Sequence, residues 1–351
     1  MTKRAAGHTG LLSTLRPRVR DLGAELLRVS TLSRPSRLAK DKLTVVTFHR
    51  VLPASELAQY PIPSIAVTPT ELEWLVSLFQ KHYTPGTLAE VATRFALGDR
   101  PERPLLAITF DDGQRDNFVH AAPVLDAHGV HASFFVVTDA IERNDTLWHD
   151  RIGYAVRTLC QTDPTAAQTL LSTVGVPHDA SDPPSATIAQ AKLLPDEKRQ
   201  AFVQGLEARV GGAARPAWDG MMSWAELRSL HERGHEIGSH SRAHPILPLC
   251  TDGVLVDEIN GSRRVLSQHL DCEIETFCYP NGDHDQRVVL AVGRAGYRHA
   301  VTTRYGVNGD KAPQLALRRI DMQSAHARAH DGRLSEARLL TRLSGHLPGA
   351  R

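Results

Sequence analysis

Several features that would narrow the class of this chain are scarce or missing. Cysteine is rare: Cys160, Cys250, Cys272 and Cys278 are the four, and no two form a CxxC pair. That excludes a zinc knuckle of this spacing and a disulfide scaffold, and the expectation is reduced thiols in a cytoplasmic setting. No apolar run approaches the ~20 residues of a membrane-spanning helix. Neither sign of charge is in excess. Lys plus Arg number 41 against 39 Asp plus Glu, leaving +2, so the balance offers no nucleic-acid partner. No segment recurs at a fixed period. What remains is 41% hydrophobic and 23% charged residues over 351 positions, room for one large globular domain or two ordinary ones.

The charge is unevenly placed. Residues 1–42 hold ten basic residues against three acidic ones, near +7, and leave the rest of the chain near −5. Charges interrupt every Leu cluster there, so the segment does not read as a signal peptide. Val19, Leu22, Leu26 and Val29 recur at helical spacing between Arg18, Arg20 and Arg28. Two readings follow: a helix packed on the outside of the domain, or a basic amphipathic helix on an anionic membrane surface.

Further on, strand and helix signals alternate. LTVVTFHRV (Leu43–Val51), LLAITF (Leu105–Phe110) and ASFFVVT (Ala132–Thr138) are buried-strand runs, with helices expected over Thr70–Lys81 and Asn117–His128. This rhythm predicts a parallel α/β core. From about 148 to 222 helical pieces alternate with polar stretches, a helical insertion. A helix over Ser223–Arg233 and strands at His235–Gly238, Thr276–Tyr279 and His299–Thr302 then restore the rhythm, and a short helix is expected after Ser324.

Three constellations carry chemistry. LLAITF ends in Asp111-Asp112-Gly113, two adjacent carboxylates that need a cation or a proton to divide their roles. His240 and His244 lie four apart and can converge on one metal if they share a helical turn. Imidazoles with a carboxylate suit zinc or a similar divalent ion. Thr276 to Gly282 is a strand ending in a Pro-Asn-Gly turn, which can aim a backbone N–H at a developing oxyanion. The first two would open on one face of a parallel α/β barrel.

Together these residues resemble the polysaccharide deacetylases of carbohydrate esterase family 4, the NodB-homology domain. TFDDG (Thr109–Gly113) resembles the first motif and HSRAH (His240–His244) the second. FCYPNG (Phe277–Gly282) resembles a variant YPxG third motif, and Arg319-Ile320 the last strand of that branch. The resemblance spans about Leu43 to Met322 outside the insertion. It implies a distorted (β/α)7-type barrel, with a basic extension at 1–42, a catalytic domain at 43–325 interrupted at about 148–222, and a tail at 326–351. It implies Asp111 as catalytic base, Asp112, His240 and His244 as ligands of a divalent metal, first of all Zn2+, and Asn281 as oxyanion donor.

Two departures from the family matter. The arginine of the commoner third motif is replaced by Cys278, and Arg319, rather than Arg318, is expected to reach Asp111 from the last strand. No Leu-x-His general acid is present; His299 and His326 are the nearest in sequence. His49 and Trp148-His149-Asp150 are further site candidates. Trp74, Trp148, Trp218 and Trp224 mark no sugar-stacking platform. The expected function is removal of an N-acetyl group from a sugar in a cell-envelope or capsular polysaccharide or its precursor. The alternatives are a deformylase or O-acetyl esterase, or an inactive glycan-binding barrel. The expected partner is an N-acetylated glycan, with peripheral contact to the inner membrane through residues 1–42.

Overall fold

Period-two alternation within the buried runs sets the architecture. The computed structural model describes Asp21, Pro35 and residues 39–345 except 144, 178, 213 and 214. Seven strands form the frame: β1 (Thr44–Phe48), β2 (Leu105–Phe110), β3 (Ser133–Val136), β4 (Glu236–Ser239), β5 (Thr276–Cys278), β6 (His299–Tyr305) and β7 (Leu317–Asp321). Consecutive strands pair in parallel, and β7 returns to β1 through Val46↔Ile320 and Thr47↔Asp321, closing the barrel. The distortion is local. A short strand, Thr84–Gly86, takes the first half of one edge of β2, so β3 pairs only with Thr109 and Phe110. This is the distorted (β/α)7-type barrel expected from the sequence.

Alternate side chains divide between two packing layers. Val45, Ala107, Phe135, Cys278, Val301 and Leu317 fill the barrel interior together with Leu88, Val91, Ala92 and Phe95. Those last four belong to the helix Leu88–Ala96, which plugs the end where the strands begin. Its first N–H groups are held by Ser133 and Glu236, the first residues of β3 and β4. Val46, Phe48, Ile108, Phe110, Phe134 and Ile237 point the other way and pack under the surrounding helices. Phe110 stacks on Phe48 and Phe134 with ring centroids 5.2 and 5.0 Å apart. Each ring buried this way contributes about 1.5–3 kcal/mol relative to exposure. Gly238 is required by the interior, because a Cβ there would lie 2.5 Å from the Phe135 ring.

Some boundaries differ from the sequence expectation. The run 43–51 is broken at His49, and Arg50–Val51 leaves the barrel to pair with Ala66–Val67. The helix expected from Asn117 begins as a π-turn, Asn117–Ala121, before α-helix Ala122–Ala127. Pro123 has no N–H for the i−4 carbonyl, and the register widens ahead of it. Helix Glu336–Leu343 joins the main core through Leu339, Leu340 and Leu343. The amphipathic stretch 18–30 lies outside the described residues except Asp21, whose carboxylate accepts from the His330 N–H at 2.8 Å and meets Arg338 at 3.3 Å. Among the described residues no helix is long and apolar enough to cross a membrane.

Four helices, Trp148–Thr162, Pro164–Thr173, Pro183–Ala191 and Asp196–Arg209, build the insertion. Their core joins Leu52, Tyr60, Ile62 and Ala66. A buried ionic joint ties insertion to barrel. Arg50 donates to Asp116 at 2.9 Å and to Asp219 at 2.7 Å, and lies 3.8 Å from Asp150. Asp150 also accepts from Tyr60 and Gln114, each at 2.7 Å. Burial, with Asp219 close by, pushes Asp116 up to about 6 against the pull of Arg50. Arg50→Met therefore strands three buried carboxylates. The expected loss is about 3–5 kcal/mol of stability, read as a lower denaturation midpoint at pH 8. A wild-type midpoint would show that the carboxylates do not depend on Arg50.

Candidate active site

At the C-terminal mouth of the barrel, strand parity selects the site residues. On β2 the inward positions are Ala107 and Thr109, and the next in that series is Asp111. Its N–H donates to the Phe48 carbonyl at 2.9 Å, which keeps it in line with the strand. The backbone then turns sharply: Asp112 has φ 76° and Gly113 φ 81°. A Cβ at Gly113 would also sit 3.0 Å from Val136, so the turn is pressed against β3. Asp112 holds a left-handed conformation that is unfavourable for a residue with a side chain, as is common at functional positions.

Arg319, inward on β7, meets Asp111 with two hydrogen bonds of 2.7 and 2.6 Å. The guanidinium is fully engaged, donating also to Thr302 O, Thr47 Oγ1 and Thr109 Oγ1, with Cys278 Sγ 3.3 Å from one nitrogen. A register shift between β6 and β7 lies between Leu317 and Arg319, and such bulges re-aim side chains near sites. Arg319 is 1% exposed, whereas Arg318 points to solvent. Burial alone would raise the Asp111 carboxyl; the Arg319 charge and hydrogen bonds outweigh it and hold the group below its ordinary value. His49 Nε2 lies 3.8 Å from the same carboxylate.

The two histidines do not share a helical turn, the condition under which their spacing would bring them together, and they converge by another route. His240 to His244 is a loop after β4, with Ser241 at φ 66° and His244 at φ 57°. The N–H groups of Arg242 and Ala243 both donate to Glu258, at 2.9 and 3.0 Å, and Trp148 Nε1 donates to His244 O. Pro245 further disfavours helix at His244. The fold-back still brings the rings together, with centroids 4.7 Å apart. His240 Nδ1 lies 2.7 Å from the Cys278 carbonyl and donates to it, which turns Nε2 toward Asp112; burial pulls the pKa of this imidazole down, but Cys278 and Asp112 outweigh it and hold the group well above its ordinary value. Burial and the neighbouring His240 hold His244 well below its ordinary value, in the neutral form that a ligand needs.

The three nitrogen and oxygen donors fit a cation. Asp112 Oδ1 lies 3.5 Å from His240 Nε2 and 3.6 Å from His244 Nε2, too long for hydrogen bonds. Ligands about 2.1 Å from a tetrahedral ion are spaced by about 3.4 Å. A second trio, Asp111, His240 and Cys278, also has its ligand atoms within 4.8 Å of one another. It is the poorer site, because both Asp111 oxygens and the thiol already face the Arg319 guanidinium. Asp112 Oδ2 faces His149 Nε2 at 3.6 Å.

These groups line one cavity of about 430 Å³, a size typical of small-ligand sites. Asn281 borders it from the third motif, with φ 56° and a buried Nδ2 that has no hydrogen-bond partner among the described residues. His299 and His326 do not line it. His299 is bonded to Gln314 and Thr93 at the opposite end, and His326 to the Asp321 carbonyl. The insertion contributes His149, Ser185 and Lys192 to the wall. Of these, the sequence singles out only His149, beside Trp148; Ser185 and Lys192 lie in the first turn and at the C-cap of helix Pro183–Ala191, whose sequence carries no catalytic spacing.

Residues 98–300, over half of the chain, match the sequence family described as polysaccharide deacetylase. Among solved structures, deacetylase PplD of Streptococcus pyogenes, in complex with acetate, is 16% identical with a TM-score of 0.58, over 86% of this chain and 98% of that one. IcaB from Ammonifex degensii is 17% identical with a TM-score of 0.55, over 87% and 97%. BC0361, a polysaccharide deacetylase from Bacillus cereus, is 17% identical with a TM-score of 0.53, over 86% and 69%. At these identities the likeness is one of fold. No curated protein sequence matches the chain.

Proposed function

The chain belongs to the polysaccharide deacetylase family, a carbohydrate deacetylase and thus a hydrolase, and from that premise we propose which atoms do the work and on what. The substrate is an N-acetylated sugar of a cell-envelope or capsular polysaccharide, or its precursor. Asp112, His240 and His244 hold a divalent metal, with zinc the best match to an N2O donor set. Asp111 is the base. The observation that carries this reading is the division of labour between adjacent carboxylates: Asp111 is clamped by Arg319, and the side chains within 4 Å of the Asp112 carboxylate that could pair with it are, among the described residues, the imidazoles of His149, His240 and His244.

When bound, the cation polarises the acyl carbonyl and lowers the pKa of a water beside it. Asp111, kept unprotonated by Arg319, takes the proton of the attacking water on a carboxylate oxygen and returns it to the sugar nitrogen as the carbon–nitrogen bond breaks, releasing acetate and the free amine. Arg319 fixes the direction of that carboxylate, since its planar fork admits one orientation. The Asn281 N–H donates to the oxygen on which charge develops. The surrounding barrel and insertion exclude bulk water and strengthen each of these contacts.

The test is product analysis of the purified full chain with N-acetylated, N-formylated and O-acetylated oligosaccharides. Acetate from the N-acetyl substrate, at a rate well above that from the ester, is the expected result. Formate release alone, or ester cleavage alone, would replace the substrate assignment. Glycan binding without turnover of any of the three would overturn the enzymatic reading.

A further inference from the structure

The insertion places a cation in the cavity wall for which the reaction above has no use. Lys192 follows helix Pro183–Ala191 and lines the cavity beside Ser185 and Ile188. It is mostly shielded from solvent. Asp283 and Asp112 are the carboxylates whose fields it feels, and neither is within ion-pair distance of Nζ among the described residues. His149 and His244 lie on the same side and feel its charge. A half-buried ammonium without a direct partner is costly unless something completes it.

Four polar atoms of residues bordering this cavity are buried with no hydrogen-bond partner among the described residues: His49 Nδ1, Ser185 Oγ, His244 Nδ1 and Asn281 Nδ2. The two imidazoles belong to the base and the cation site, which leaves Ser185 and Asn281 uncommitted. The amide nitrogen and the ammonium are donors only, and the hydroxyl can donate. The carboxylates on the floor already have their roles, Asp111 clamped by Arg319 and Asp112 a donor of the cation site with His240 and His244. The unfilled capacity of Lys192, Ser185 and Asn281 is therefore that of donors, one of them positively charged. Its complement is a group rich in acceptors and negatively charged.

We propose that Lys192, with Ser185 and Asn281, forms a subsite for an anionic substituent on the sugar undergoing deacetylation or on its neighbour. The enzyme then prefers acidic glycans, carrying a carboxylate or a phosphate, over neutral ones. This rests on the deacetylase reading and names the substrate class within it. Lys192 is a specificity residue: its loss raises KM for acidic substrates and leaves kcat in place. One charge-assisted hydrogen bond corresponds to about a tenfold change in affinity or more.

The experiment compares N,N′-diacetylchitobiose, N-acetylmuramic acid and N-acetylglucosamine 1-phosphate as neutral, carboxylate and phosphate probes. Wild type should favour at least one acidic probe in kcat/KM by about tenfold, and the preference should shrink as salt rises. Lys192→Ala should abolish that preference through KM, and Lys192→Arg should keep most of it. Equal losses on neutral and acidic probes, or no preference in wild type, would overturn the subsite. Binding to Asp111→Asn protein, which needs no turnover, separates this from the deacetylase reading. Tighter binding of an acidic probe that disappears in Asp111→Asn/Lys192→Ala supports the subsite even where nothing is hydrolysed; equal binding of all three overturns it.

Discussion

Asp111→Asn should lower acetate release by roughly 10²- to 10⁴-fold, the usual contribution of a positioned base, while bound metal stays at its wild-type content. The substitution keeps size and shape but cannot accept the proton of the attacking water. It also leaves Asp112, His240 and His244 untouched, so metal analysis should not change. Arg319 is the control on orientation. Its guanidinium contacts both Asp111 oxygens and is itself held by Thr302, Thr47 and Thr109. Arg319→Lys preserves the charge and loses the fork, so its defect should lie in kcat rather than KM. An Asp111→Asn enzyme that keeps most of its rate would transfer the base to another group, with His49, 3.8 Å away, the first to examine.

The second large effect concerns the cation. Removing the metal with a chelator should abolish turnover, and adding Zn2+ should restore it. Asp112→Ala and His244→Ala should lose both metal and activity, and by more than the 10- to 100-fold typical of an outer-shell partner. The reason is geometric: each supplies one of three donor atoms spaced for a single ion. Cys278→Ser tests the neighbouring trio of Asp111, His240 and Cys278. The expected result is unchanged metal content in Cys278→Ser and loss in Asp112→Ala. The reverse pattern would move the ion to the Cys278 side and away from Asp112.

The insertion shows why part of the site was hidden. Ser185 and Lys192 reach the cavity only because Ile188, Val203 and Leu206 pack with Tyr60 and Ile62 in a second core, and because Arg50 ties Asp116, Asp150 and Asp219 together below it. Nothing within ten residues of Lys192 signals this. Its helix shows the ordinary marks of a local element: Asp182 accepts from the Ser185 N–H, and Pro183 starts the first turn.

What the sequence by itself determined is the set of features that depend on neighbours along the chain. Buried runs such as LLAITF specify strands, and their period of two assigns Ala107, Thr109 and Asp111 to one face. Thr68 and Ser223 cap helices Pro69–His82 and Trp224–Glu232, each starting within one residue of the expected Thr70 and Ser223. The two carboxylates and the two histidines are visible as spacings. Only the tertiary structure decided how these meet. Asp111 and Arg319 are 208 residues apart, and they touch because barrel closure sets β7 beside β1 and a register shift against β6 lies just before Arg319. His240 and His244 converge through a left-handed loop whose N–H groups are held by Glu258, not through helical periodicity. Local propensity fixes the direction of a side chain from its own strand or helix. Convergence of side chains depends on pairing register and on hydrogen bonds between distant segments, and these exist only once the barrel has closed.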